Sequence, residues 1–90
     1  MYILVQHTVS DPVSVWSKAQ QAIPALPSHL KLHQTIPTAD GRHAVCVWEA
    51  PSITSLQSFL DPALGAGARN EYFEVEAKEG ISLPSGLQLT

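Results

Sequence analysis

Apolar and polar residues follow one another along the chain with two different periods. Residues 2–9 open with the apolar and β-branched density of a buried strand. Ser10 or Asp11 can cap a following helix, because their oxygens accept from free N–H groups and Pro12 is tolerated in the first turn. Apolar positions then recur every three to four residues, which predicts an amphipathic helix that the following prolines end. The predicted stripe is Val13, Trp16, Ala19, Gln20 and Ile23.

The middle and the end of the chain repeat this succession of strands and a helix. Residues 30–36 and 42–50 are extended runs separated by turn residues, and they predict a hairpin. Ser52 is the predicted cap of a second helix, which Gly65 ends. Residues 70–77 alternate strictly and predict a fourth strand. The stripe of the second helix is Ile53, Leu56, Phe59, Leu60 and Leu64.

This order of elements is βαββαβ, which predicts an α+β, ferredoxin-like fold. Right-handed crossovers place both helices on one face of a four-stranded antiparallel sheet and leave the other face open. A period of two divides each strand between these faces. The residues predicted beneath the helices are Ile3, Val5, Leu30, Leu32, Val45, Val47, Phe73 and Val75. Those predicted on the open face are Tyr2, Leu4, Gln6, Thr8, His33, Thr35, Cys46, Trp48, Tyr72 and Glu74.

The length of 90 residues allows one hydrophobic core, so we expect a single domain over residues 1–79. Residues 80–90 form a C-terminal tail that is apolar enough for us to expect it to pack on the domain or on a partner subunit. Small domains often need a second subunit, and Leu4, Trp48 and Tyr72 would form an apolar patch on the open face. The sequence therefore predicts a homodimer through that face.

The charge and the single cysteine restrict the possible partners and compartment. The formal net charge is −3, and the five basic residues are scattered, which argues against nucleic-acid binding. No apolar run approaches the length of a membrane span or a signal peptide. Cys46 cannot form an internal disulfide and lies in an apolar run. We expect a cytoplasmic protein with a reduced thiol and no membrane partner.

Two segments resemble a known superfamily. They are residues 6–11, which lead into the helix with Trp16, and residues 46–52, which lead into the second helix. Together with the order of elements, they resemble the dimeric α/β-barrel superfamily, which includes antibiotic-biosynthesis monooxygenase-like domains and muconolactone isomerase. The second segment, with residues 70–75, also resembles small ferredoxin-like families, one of which includes nickel-binding proteins. The resemblance implies a dimer with a pocket, but none of these segments is a catalytic signature.

The predicted function is the binding of a small, partly apolar molecule, held between the sheet and the helices or the dimer partner. Aromatic faces beside a few polar groups suit such a ligand. The predicted ligand-binding residues are Gln6, His33, Cys46, Trp48 and Tyr72. The alternative, implied by the resemblance, is a cofactor-independent monooxygenase, isomerase or cyclase, whose catalytic residues the sequence does not identify.

Metal binding is a second alternative, because His7, His29, His33, His43 and Cys46 carry suitable ligand atoms. Their spacing matches none of the common metal motifs, so we predict no metal site and no cofactor. His7 is interpreted as a hydrogen-bonded histidine near the sheet edge. Cys46 would act as a nucleophile only beside a base; His33 is the nearest candidate, and no orienting third group is identified.

Overall fold

A computed structural model describes residues 1–76, which fold as an α+β, ferredoxin-like domain. The elements are β1 (Tyr2–Val9), α1 (Pro12–Ala22), β2 (Lys31–Pro37), β3 (His43–Glu49), α2 (Ile53–Leu64) and β4 (Ala68–Val75), with one turn of 3₁₀-helix at Ile23–Ala25 after α1. The four strands form one antiparallel sheet in the order β2-β3-β1-β4. The predicted fold class and order of elements are confirmed.

Local side-chain chemistry sets the helix boundaries. The carboxylate of Asp11 accepts from the Ser14 N–H at 3.2 Å, and the Ser52 hydroxyl accepts from the Ser55 N–H at 3.0 Å. Ser52 is therefore the predicted N-cap of α2, and Asp11 is the one of the two candidates, Ser10 and Asp11, that caps α1. Gly65 ends α2 with a φ of 77°, a conformation that residues with a side chain rarely adopt. Pro62 lies inside α2, where the helix continues to Leu64.

The hydrophobic core lies between the helices and one face of the sheet. Ile3, Val5, Val15 and Leu56 are its most completely buried large side chains. The predicted α2 stripe is confirmed, since Leu56, Leu60 and Leu64 are buried and the remaining two members pack against them. The α1 stripe is partly wrong: Val13 is 84% exposed, and Val15 is the buried valine. Trp16 and Ala19 pack against the core as predicted.

The sheet faces were predicted correctly for β1 but wrongly for β3 and β4. In the register, Leu4 lies opposite both Val47 and Phe73, and residues directly opposite each other share a face. Cys46 and Tyr72 both lie opposite Val5, and therefore beneath the helices. The error in β3 arose because both of its alternating sets are apolar, so a period of two does not identify the buried set.

A β-bulge explains a further correction on β2. The register shifts between Leu32 and Gln34, which inserts His33 as an extra residue. Thr35 consequently lies opposite Cys46 on the helix side, although it was predicted on the open face together with His33. Trp48 lies opposite Ile3 and is buried on the helix side as well.

The open face consists of the other alternating set of side chains. It carries a run of partly or well exposed apolar residues from all four strands: Leu4, Ile36, Val45, Val47, Phe73 and Val75. Phe73 is 47% exposed and Ile36 53%. We call this set the open-face patch. It replaces the predicted patch, of which only Leu4 lies on this side of the sheet.

Two remaining predictions concern the C-terminal tail and membrane-spanning helices. The C-terminal tail, residues 80–90, and the last residues of the predicted domain lie outside the described residues. Within residues 1–76, neither helix is both long and apolar enough to cross a bilayer.

Candidate functional site

A pocket of about 190 Å³ lies between the helix layer and the sheet. Its walls are mostly apolar side chains contributed by both helices, by the segment after α1 and by the three strands β1, β2 and β3. The apolar wall comprises Trp16, Ala19, Ala22, Ile23, Leu26, Leu32, Trp48, Phe59, Leu60 and Leu64. Four polar side chains complete it: His7, Gln20, Thr35 and Cys46.

The pocket reaches solvent beside the edge strand β2. Gln20, Ile23 and Thr35 line it and are exposed, whereas His7 and Cys46 line it and are buried. The apolar walls thus lead from an opening near the end of α1 to a polar floor on the central strands β1 and β3. No lining residue is Asp, Glu, Lys or Arg.

The floor of the pocket holds a histidine–cysteine pair. His7 and Cys46 lie on neighbouring antiparallel strands and both point toward the helices. The Nε2 atom of His7 lies 3.2 Å from the Sγ atom of Cys46. The Thr35 hydroxyl, from the other neighbouring strand, lies 3.6 Å from the same sulfur. The thiol is therefore held between two polar groups at the inner end of an apolar pocket.

Asn70 and Asp61 extend this pair into a chain of hydrogen bonds. Asn70 lies opposite His7 in the β1–β4 register, and its Oδ1 is 2.6 Å from His7 Nδ1. The amide nitrogen of Asn70 donates to the Asp61 carboxylate at 2.9 Å. Tyr72 donates to the same carboxylate oxygen at 2.5 Å, and Gln57 donates to the other oxygen at 3.2 Å. The sheet and α2 thus jointly fix the side of His7 that faces away from the thiol.

This chain determines the tautomer of His7. Because Asn70 uses its NH₂ group to donate to Asp61, its carbonyl oxygen must accept from His7. The Nδ1 atom of His7 therefore carries the proton. The Nε2 atom is left as an acceptor that faces the S–H group of Cys46.

Burial keeps the pair neutral at rest. Burial lowers the pKa of the His7 imidazole, although the hydrogen bond with Asn70 and the charge of Asp61 act in the opposite direction. Burial raises the pKa of the Cys46 thiol, against contacts with Thr35 and Trp48 that favour the thiolate. The two groups are thus a neutral imidazole and a neutral thiol near pH 7.

The far end of the chain is charged. Burial opposes ionisation of Asp61, but the hydrogen bonds from Asn70, Tyr72 and Gln57 together outweigh it and lower the pKa of the carboxyl. Burial, followed by the hydrogen bond to Asp61 and its charge, raises the pKa of Tyr72 far above its ordinary value. Tyr72 therefore remains a hydrogen-bond donor at all ordinary pH values.

Trp48 contributes an unsatisfied polar group to the pocket. Trp48 is 3% exposed, and its indole N–H meets no acceptor with hydrogen-bond geometry. The N–H nevertheless lies near enough to the Cys46 sulfur to favour the thiolate as a hydrogen-bond donor. The other tryptophan differs, since Trp16 donates its indole N–H to the Gly41 carbonyl at 2.8 Å. A buried donor without an acceptor costs about 1–3 kcal/mol.

The structure brings together some of the predicted ligand-binding residues and separates the others. Cys46 and Trp48 line the pocket, and Tyr72 holds the Asp61 carboxylate behind it. Gln6 is exposed on the open face. His33 lies on the open side, where its Nε2 is 3.0 Å from a Glu49 oxygen and its ring centroid is 5.4 Å from that of Tyr2.

Sequence reasoning missed the histidine beside Cys46 and its supporting groups. The histidine beside Cys46 is His7, whereas His33 was the predicted neighbour, and Asn70 and Asp61 were not identified at all. One signal was present: His7 continues the alternation of Ile3 and Val5, so it falls on the buried side of β1. A histidine on the buried side of a central strand needs hydrogen-bond partners inside the protein.

Within residues 1–76, no group of three or more His, Cys, Asp or Glu side chains is arranged to hold a metal ion. Comparisons of the chain with protein-family models, with curated proteins and with solved structures found no match.

Proposed function

We propose that this protein binds a small, neutral, largely apolar molecule that carries one hydrogen-bond acceptor. The observation that carries the proposal is the apolar pocket between helices and sheet, with the unsatisfied indole N–H of Trp48 in its wall. Of the two locations left open by the sequence, beside the helices or at the dimer partner, the pocket supports the first.

The pocket volume sets the size of the ligand. An engineered apolar cavity of about 150 Å³ accommodates benzene, and this pocket measures about 190 Å³. A molecule of roughly six to ten non-hydrogen atoms would fill it without displacing a side chain. A single substituted ring or a short branched chain meets this limit, and larger molecules would have to project through the opening beside Thr35.

The walls set the polarity of the ligand. Since no lining residue carries a full charge, a charged ligand would lose its hydration without a compensating partner. A carbonyl or ether oxygen would instead accept from Trp48 and relieve the cost of its buried, unsatisfied N–H. We therefore expect neutral ketones and esters to bind more tightly than hydrocarbons of the same shape or carboxylates.

The test compares acetophenone with ethylbenzene and benzoate, which are similar in size. The chain has two tryptophans, so its ¹H–¹⁵N spectrum contains two indole N–H signals, and Trp16→Phe assigns them. We expect acetophenone to shift the Trp48 signal downfield through a new hydrogen bond. Trp16 also lines the pocket, but its N–H is already bonded to Gly41, so its signal should move less than that of Trp48 and no further with acetophenone than with ethylbenzene.

A pair of neighbouring substitutions on α1 provides the control. Ala22→Phe places a ring in the pocket and should abolish the acetophenone shift. Gln21→Phe adds the same ring at an exposed position that does not line the pocket and should leave the shift unchanged. Equal binding of acetophenone by both variants, or no shift of the Trp48 signal in the unmodified protein, would contradict the proposal.

We also propose that the protein is a homodimer in which the open-face patch meets its copy. The supporting observation is that one side of the sheet carries apolar residues from all four strands with no element of residues 1–76 covering it. Apolar patches of this kind usually mark an interface. The pocket faces the helices, so ligand binding and dimerisation would use opposite sides of the sheet.

A further inference from the structure

We propose that the pocket is an active site for acyl transfer, in which Cys46 is the nucleophile and His7 its general base. The inference rests on the proposed function, because the acyl donor is the neutral ligand of the pocket: a small ester or thioester. The resemblance suggested monooxygenase, isomerase or cyclase chemistry instead. The acyl-transfer inference comes from the geometry on the pocket floor.

Three side chains have the relation that nucleophilic catalysis requires. A weak nucleophile needs an adjacent base, and the base needs a third group that fixes its tautomer and orientation. Cys46 Sγ is 3.2 Å from His7 Nε2, and His7 Nδ1 is 2.6 Å from Asn70 Oδ1. This is the cysteine–histidine–asparagine order known from unrelated cysteine proteases. Asn70 is a positioning residue here, since it acts through His7.

Asp61 fixes the orientation of the Asn70 amide. Its carboxylate accepts from the Asn70 NH₂ group, so the amide cannot turn over without losing that bond. Tyr72 and Gln57 hold the carboxylate in turn. The acceptor face of Asn70 therefore stays directed at His7, which leaves Nε2 available to take the proton from the thiol.

Trp48 supplies an independent observation that points to a reacting oxygen. Trp48 lines the same pocket as Cys46, and its buried indole N–H meets no acceptor with hydrogen-bond geometry, the Cys46 sulfur being the group that it approaches. Trp48 and Cys46 are two residues apart on β3, so their side chains emerge on the same face of the sheet. A donor beside the nucleophile is the group that stabilises the negative oxygen formed when a carbonyl is attacked.

The first half-reaction forms a thioester on the protein. His7 Nε2 takes the proton of the Cys46 thiol, and the sulfur attacks the carbonyl carbon of the ester. The carbonyl electron pair moves to its oxygen, which accepts from the Trp48 N–H. When the tetrahedral intermediate collapses, the carbon–oxygen bond to the leaving group breaks, and the leaving alcohol receives the proton from His7.

The second half-reaction restores the thiol. His7 removes a proton from a water molecule, which attacks the thioester carbonyl carbon. The carbon–sulfur bond breaks, and the sulfur recovers a proton from His7. The balance is one ester and one water converted into one carboxylic acid and one alcohol. The acid ionises on release, and the uncharged pocket would then favour its departure.

An inert, purely structural His7–Cys46 pair is the competing explanation. Both residues are buried, and their contact satisfies two polar groups inside the core. That explanation does not account for the pocket that reaches the pair from solvent or for the unsatisfied donor beside it. The two explanations predict different reactivity of the thiol.

The experiment measures acylation of the full chain by p-nitrophenyl acetate. Release of nitrophenolate gives the rate, and intact-mass analysis shows the acetyl group. Neutral hydroxylamine removes a thioester but not an adduct on lysine, and loss of the sensitive adduct in Cys46→Ala assigns it to Cys46, the single cysteine, and not to tyrosine or histidine. We expect a hydroxylamine-sensitive adduct whose formation acetophenone slows by competing for the pocket.

Two substitutions assign the roles. His7→Gln should lower the acylation rate about a hundredfold, which is the usual contribution of a general base. The matched control His29→Gln changes an exposed histidine outside the pocket and should leave the rate unchanged. Asn70→Ala should move the pH dependence of acylation to lower pH, because Asn70 favours the charged form of His7. Circular dichroism verifies that each variant is folded.

The outcomes separate this inference from the proposed function. If acetophenone shifts the Trp48 signal but Cys46 acquires no acetyl group, the protein binds ligands and the catalytic inference is wrong. Acylation of folded His7→Gln at the rate of the unmodified protein would also refute it. If acetophenone neither binds nor protects Cys46, the proposed function itself fails.

Discussion

Asp61 is the position where the hydrogen-bond chain behind the pocket can be broken most simply. Asp61→Ala removes the acceptor of three hydrogen bonds, donated by Asn70, Tyr72 and Gln57. We expect the substitution to destabilise the fold because the first two donors are partly buried and would lose their partner. The third is exposed and can bond to water instead.

The expected magnitude follows from these contacts. A hydrogen bond to a charged group contributes about 1.5–3 kcal/mol, and the two partly buried bonds share one oxygen, which places their joint contribution near the lower end at about 3 kcal/mol. Asp61 lies in the last turn of α2, where a negative charge is unfavourable by about 0.3–1 kcal/mol. The net loss in the free energy of unfolding should therefore be about 2–3 kcal/mol.

The assay is urea-induced unfolding at pH 7 and at several lower values of pH. The pKa of Asp61 is lowered in the folded state, so its stabilising effect is present above the unfolded pKa and is lost as pH falls through the folded pKa. The difference between Asp61→Ala and the unmodified protein should consequently shrink in acid. Asp40→Ala is the matched control, because Asp40 also accepts from Thr38 and the Arg42 N–H but is exposed. That control should lower the free energy of unfolding clearly less than Asp61→Ala does.

Two results would refute the reasoning about Asp61. One is a loss no larger than that of Asp40→Ala at pH 7. The other is a difference from the unmodified protein that stays constant as the pH is lowered, since the contribution would then not depend on the charge of the carboxylate. Asp61→Asn keeps the shape and one acceptor oxygen, so it should fall between the two.

Two further predictions address the core and the open face. Leu56→Ala removes a fully buried side chain and should lower the free energy of unfolding by about 2–5 kcal/mol, whereas Val13→Ala, at an 84% exposed position, should change it by less than 0.5 kcal/mol; equal effects in urea unfolding would contradict the assigned core. Phe73→Glu places a charge in the open-face patch and should convert a dimer into a monomer in light scattering, whereas Val13→Glu should not. A monomeric unmodified protein at micromolar concentration would refute the proposed dimer.

Much of the fold follows from local sequence features. The caps Asp11 and Ser52, the turn residues around Gly41 and the helical spacing of Leu56, Leu60 and Leu64 act over a few residues, so they can be recognised without the rest of the chain. The order βαββαβ then leaves few topologies open. These features led to the correct fold class.

The choice of sheet face depended on tertiary structure. In β3, the sets Val45–Val47 and Cys46–Trp48 are both apolar, and only pairing with β1 decides which of them packs beneath the helices. The bulge at His33 is also invisible to a period of two. The extra residue reverses the face of the sheet on which every later residue of β2 lies.

The candidate site shows most clearly which features the sequence identified and which depended on tertiary structure. The sequence identified Cys46 and Trp48 as residues of interest, but it associated them with His33 and with the open face. His7 and Asn70 are 63 positions apart in the chain and become partners only through the β1–β4 register. Strand pairing between distant segments determines which polar groups meet, because each group's own neighbours in sequence point to the other side of the sheet. The sequence by itself thus determined the elements and their order, and the tertiary structure decided which histidine faces the thiol.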